Sequence, residues 1–71
     1  MTSQELKTID QQYVCSTYAR FDLCVERGHG ATCYSPEGKQ YIDFSAGIGA
    51  DSLGFCDDDW VQAVSEQAGK M

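Results

Sequence analysis

At 71 residues the chain makes one small domain at most, and a chain of this size covers only about 60% of its unfolded surface, a thin basis for independent stability. Eleven acidic against five basic residues give a net charge of −6, which repels phosphate backbones and argues against a nucleic-acid partner. No apolar stretch approaches the roughly 18 residues that span a bilayer, so membrane insertion is excluded.

In chain order, Thr2-Ser3-Gln4-Glu5 fits a capping box and predicts a first helix to about Val14. Leu6, Ile9 and Tyr13 recur along it at spacings of three and four, a narrow apolar stripe that must dock on something. Met1 to Asp10 contain no apolar export core, so an oxidising compartment is not expected and the cysteines read as free thiols in a reducing cytoplasm.

Leu23 to Arg27 form a β-prone run that ends at Gly28-His29-Gly30, where His29 reads as an exposed turn residue. Ala31 to Tyr34 make a second short run before Ser35-Pro36-Glu37-Gly38, a turn in which Pro sets φ at the second position and Gly accepts a positive φ. Lys39 to Phe44 resume as a strand, with Tyr41 and Asp43 on one face and Ile42 and Phe44 on the other. The expected product is a small antiparallel hairpin or meander. Ser45 to Gly54, with Gly47, Gly49 and Gly54, reads as an irregular glycine-rich loop. A second helix starts near Asp57 or Asp58, whose carboxylates suit its free N–H groups, and carries Trp60, Val61, Val64 and Ala68 as its apolar face up to Gly69.

Several chemistries fail on spacing. Cys15, Cys24, Cys33 and Cys56 contain no C-x₂₋₄-C knuckle, and His29 is not placed with a cysteine pair, so no metal site is expected. Gly47-Ile48-Gly49 begins like a dinucleotide fingerprint, but Ser52 stands where the third glycine belongs. Gly49 to Gly54 read as a P-loop lacks the lysine and hydroxyl residue, since Phe55 and Cys56 follow. Asp43 and Asp51 read as capping or surface carboxylates rather than a catalytic pair, because nothing around them forms a sugar-binding cleft.

Tyr18-Ala19-Arg20-Phe21, Glu26-Arg27-Gly28-His29-Gly30, Gly38 to Phe44, Gly47-Ile48, Ser52-Leu53-Gly54 and Gln67-Ala68-Gly69-Lys70 follow one another in an order and spacing that resembles the amino-terminal region of class III aminotransferases, the acetylornithine group in particular. The likeness runs from about Tyr13 to Lys70, and its specificity comes from many spaced positions. The chain departs from the family pattern at Asp51, where an asparagine is usual, at Phe55, where the first histidine stands, and at Asp57-Asp58, in place of His-Pro.

The resemblance implies an α+β piece of a fold type I pyridoxal-phosphate-dependent transferase, residues 1–71 being its amino-terminal segment with the large cofactor-binding domain absent. It implies a parent that transfers an amino group to 2-oxoglutarate in arginine biosynthesis, works as a homodimer with active sites at the subunit interface, and binds an amino-acid substrate. By matching position, Tyr18 and Ile48 fall in the substrate pocket, Tyr18 as a phenol hydrogen-bonding partner and Ile48 as an apolar wall, with Asp51 beside them. Arg20 reads as an ordinary surface ion pair. Pyridoxal phosphate supplies the electron sink of such an enzyme. No catalytic or cofactor-binding residue is expected among these 71, because Lys7, Lys39 and Lys70 lie in polar settings that do not depress an amine pKa, and no cofactor is expected on this chain alone. The competing reading is a standalone interaction module whose sheet edge and apolar stripes bind another chain without catalysis.

Overall fold

The computed structural model describes all 71 residues, as two helices and a three-stranded antiparallel sheet. The first helix, α1 (Ser3–Tyr13), begins with the expected capping box: Thr2 Oγ1 accepts from the Glu5 N–H at 3.2 Å, and the Glu5 carboxylate accepts from the Thr2 N–H at 3.1 Å. It stops where Val14 turns extended at the head of Val-Cys-Ser-Thr, a run of poor helix formers.

The sheet is a meander of β1 (Arg27–His29), β2 (Thr32–Tyr34) and β3 (Gln40–Ile42), in that spatial order. Its first strand begins where the sequence places the end of a strand. Residues 27–29 must lie opposite 32–34 once the chain turns at Gly30-Ala31, with positive φ at Gly30 only, as in a type II′ turn. Upstream, Leu23 to Glu26 run outside the ladder except for one bond, from the Glu26 N–H to the Tyr34 carbonyl at 2.9 Å. His29 is accordingly the last residue of β1 rather than a turn residue. The turn at Ser35-Pro36-Glu37-Gly38 forms as expected, closed by the Gly38 N–H on the Ser35 carbonyl at 2.9 Å with Gly38 at φ +88°.

The third strand is shorter than the Lys39–Phe44 run. Asp43 still donates its N–H to Ala31, but its carboxylate is engaged by the backbone that follows and bends the chain out of the ladder. The second helix, α2 (Asp58–Ala68), is capped by Asp57, which accepts from the Trp60 N–H at 3.1 Å. Asp57 as N-cap and Asp58 as an acidic first position both suit a helix start.

Only Cys33 and Ser35 are buried. Gly28, Cys33 and Tyr41 lie opposite one another across the sheet and so share a face. Phe55 lies over this face: a Cβ placed on Gly28 would come within 3.1 Å of its ring. Neither helix packs on a strand or on the other helix. The first is tethered by polar contacts, from Ser3 to Glu37, Lys7 to Asp22, and Arg20 to Asp10 at 2.7 Å. The radius of gyration is 14.4 Å, against about 11 Å for a compact chain of this length.

Candidate functional site

The Ser45–Gly54 loop holds the least ordinary backbone in the chain. Ala46, Gly47, Ile48 and Gly49 all take positive φ, at +49°, +58°, +61° and +83°, a single left-handed turn. It is closed by the Gly49 N–H on the Ser45 carbonyl at 3.2 Å and the Asp51 N–H on the Ala46 carbonyl at 2.8 Å. For L-residues this conformation costs about 1–2 kcal/mol each, and a β-branched residue such as Ile48 is a true outlier in it. The turn leaves the Ile48 side chain fully exposed.

Asp43 caps the start of the loop. Its Oδ1 accepts from the Ser45 N–H at 2.9 Å, the Ser45 hydroxyl at 3.0 Å and the Ala46 N–H at 3.1 Å. These donors, the Ser45 N–H foremost, hold the Asp43 carboxyl below the usual carboxylate range. The far end is tied by a two-bond bridge, from the Gly30 N–H to the Phe55 carbonyl at 2.9 Å and from the Phe55 N–H to the Gly30 carbonyl at 2.7 Å. Gly54 lies against that bridge at φ +80°, where a Cβ would stand 2.9 Å from the Gly30 oxygen.

Of the three residues assigned to a substrate pocket, Tyr18 and Ile48 are exposed and Asp51 is half-buried. Tyr18 borders a shallow depression with Asp10, Val14 and Arg20, whereas Asp51 borders another with Leu53, Phe55 and Trp60. The two depressions share no residue, so this chain does not by itself join the three into one pocket. Asp43 takes the first of the capping or surface roles expected of it, whereas the hold of Gly54 and Phe55 on the far end of the loop has no counterpart in the sequence reading. The Asp-x-Ser pattern at Asp43-Phe44-Ser45 is the local signal for that cap.

Arg20 is in the surface ion pair expected of it. His29 is exposed and faces Asp58 at 3.8 Å. No three His, Cys, Asp or Glu side chains converge, and all four cysteines are free. The residues present do not fit a pyridoxal phosphate anchor. Hydrogen bonding to Asp22 raises the pKa of Lys7, the reverse of what a nucleophilic amine requires. Lys39 stands over the Tyr41 ring at 5.3 Å, and Lys70 lies just beyond α2 in the open.

The whole arrangement recurs within solved aminotransferases. The acetylornithine aminotransferase of Elizabethkingia anophelis superposes with a TM-score of 0.90 at 27% identity, over 100% of this chain and 18% of that one. The ornithine aminotransferase of Toxoplasma gondii, whose active site is described with partial occupancy of pyridoxal phosphate, gives 0.87 at 33% identity over 99% of this chain and 16% of its own. The fold is therefore that of an aminotransferase segment.

The aminotransferase class-III family profile matches residues 13–71, and the chain belongs to that family. The acetylornithine aminotransferase of Haemophilus ducreyi is 44% identical over 71 residues, all of this chain and 18% of the relative. The chain thus spans less than a fifth of the relatives it matches.

Proposed function

We propose that the chain is the amino-terminal part of a cytoplasmic, homodimeric pyridoxal-phosphate-dependent transaminase. The parent moves the terminal amino group of N-acetylornithine, or a similar ω-amino acid, to 2-oxoglutarate in arginine biosynthesis. The large cofactor-binding domain, with its lysine, is supplied by sequence outside residues 1–71. Tyr18 donates a phenol hydrogen bond to the amino-acid substrate, Ile48 walls its aliphatic chain, and Asp51 stands beside them.

One observation carries the reading. Ile48 is held in a left-handed conformation with its side chain fully in solvent, and no contact within the chain offsets that cost. Strain of this kind persists where the contact it serves lies elsewhere, here in a ligand pocket completed by the rest of the enzyme. The 44% identity to a protein named acetylornithine aminotransferase supports the choice of substrate class.

The test is a chimera in which residues 1–71 replace the matched segment of the Haemophilus ducreyi relative. It is expected to transaminate N-acetylornithine, with Ile48→Ala costing about 1–3 kcal/mol in kcat/KM, chiefly through KM. A chimera that takes up cofactor yet transaminates no ω-amino acid, or ignores changes at both Tyr18 and Ile48, would sink the proposal.

A further inference from the structure

The left-handed turn is a long excursion from the sheet, yet both ends of its loop return to the same two residues. At the entrance, the Asp43 N–H donates to the Ala31 carbonyl at 2.8 Å; at the exit, Gly30 and Phe55 exchange a pair of backbone bonds at 2.9 and 2.7 Å. Gly30 and Ala31 are the two central residues of the β1–β2 turn. The segment from Phe44 to Gly54 is therefore a closed loop with adjoining ends, in the manner of an Ω-loop.

We infer that the Gly30-Ala31 turn is the positioning element of this loop: by holding both ends on one rigid hairpin, it fixes where Ile48 and Asp51 stand. The inference rests on the proposed role of those two residues and adds Gly30, Ala31, Asp43 and Gly54 as positioning residues, none of which touches substrate.

The geometry assigns each a separate part. The Gly30 N–H and carbonyl form the exit tie, and only a residue without a side chain passes at position 54, where a Cβ would meet the Gly30 oxygen, carbonyl carbon and Cα at 2.9, 3.1 and 3.1 Å. Positive φ at both Gly30 and Gly54 adds to the requirement for glycine. Asp43 acts twice at the entrance, through its N–H on Ala31 and through its carboxylate on the Ser45 and Ala46 amides. Gly49 and Asp51 then close the turn on Ser45 and Ala46. The chain of bonds runs unbroken from the hairpin to the turn that bears Ile48.

Amide hydrogen exchange, followed by NMR on the chimera that carries residues 1–71 in the Haemophilus ducreyi relative, tests this directly. The Gly30, Asp43 and Phe55 amides are expected to be protected together, at about tenfold below free-peptide rates. Gly54→Ala should remove that protection at Gly30 and Phe55 and speed exchange at Gly49 and Asp51, whereas Glu37→Gln, which touches only the α1 tether, should leave all of them unchanged. Asp43→Ala should speed exchange at Ser45 and Ala46, and Asp43→Asn, whose amide oxygen still accepts, should restore it.

The inference is overturned if the wild-type amides exchange at free-peptide rates, if Gly54→Ala leaves Gly49 and Asp51 untouched, or if Asp43→Asn behaves as Asp43→Ala. No activity is read here, so an intact clamp in a chain whose chimera fails to transaminate would refute the functional proposal and leave the clamp standing.

Discussion

Ile48 combines a branched Cβ with φ +61°, and the cost of that combination falls on the local backbone. Replacing it by glycine removes the Cβ clash, so Ile48→Gly is expected to stabilise the turn by about 1 kcal/mol, seen as slower exchange of the Asp51 amide, while weakening substrate binding in the chimera. Opposite signs at one position are the mark of strain retained for function. Glu37 shows a different residue-scale effect. The Ser3 hydroxyl and then the Ser3 N–H hold its carboxyl below the ordinary 4.5, so the tether to α1 is whole above that pH and is lost as pH falls through the lowered value. The Ser3 amide resonance is expected to shift toward its Glu37→Gln position on acidification through that window, and to stay constant from pH 5 upward.

At the scale of elements, local chemistry marks boundaries better than composition does. The capping box at Thr2 and Glu5 and the carboxylate at Asp57 were legible because each cap is built from residues adjacent in sequence. Asp57→Ala is expected to cost α2 about 1 kcal/mol, read as lost helical chemical shifts over its first turn. The sheet was legible as a meander, but its strand ends were not. Strand β1 lies later than the β-prone run at Leu23 because pairing register is set by the two-residue turn at Gly30-Ala31, not by propensity upstream. Likewise β3 ends early because the Asp43 carboxylate prefers three donors on Ser45 and Ala46 to a continued ladder. Candidate site residues could be named in sequence only by family likeness. The loop that carries Ile48 is closed by backbone bonds between residues 30 and 55, a separation at which spacing carries no signal.

For the whole molecule, the relevant quantity is surface. The chain exposes 6154 Å², about 1,800 Å² more than a compact protein of its mass, whereas a standard interface covers about 800 Å² per partner. Val61 and Val64 on α2, and Phe21, Leu23 and Val25 beside α1, are among the apolar side chains left open. Such a surface suits a segment laid over a larger body, and an interaction module would need to display it too. The two readings separate in solution. The isolated chain is expected to bind an apolar fluorescent dye, and adding the Haemophilus ducreyi relative without its matching segment should abolish the signal. Persistent dye binding beside that partner would favour the module.

The sheet itself tempers the hazard of so much open apolar surface. Each outer strand is only three residues long, with Gly28 at the centre of one and a bend at Asp43 directly after the other. Such stubs offer too few consecutive unpaired amides to template a neighbouring chain. Unassembled copies should therefore collect as amorphous, redissolvable clusters through their helix faces rather than grow into fibrils.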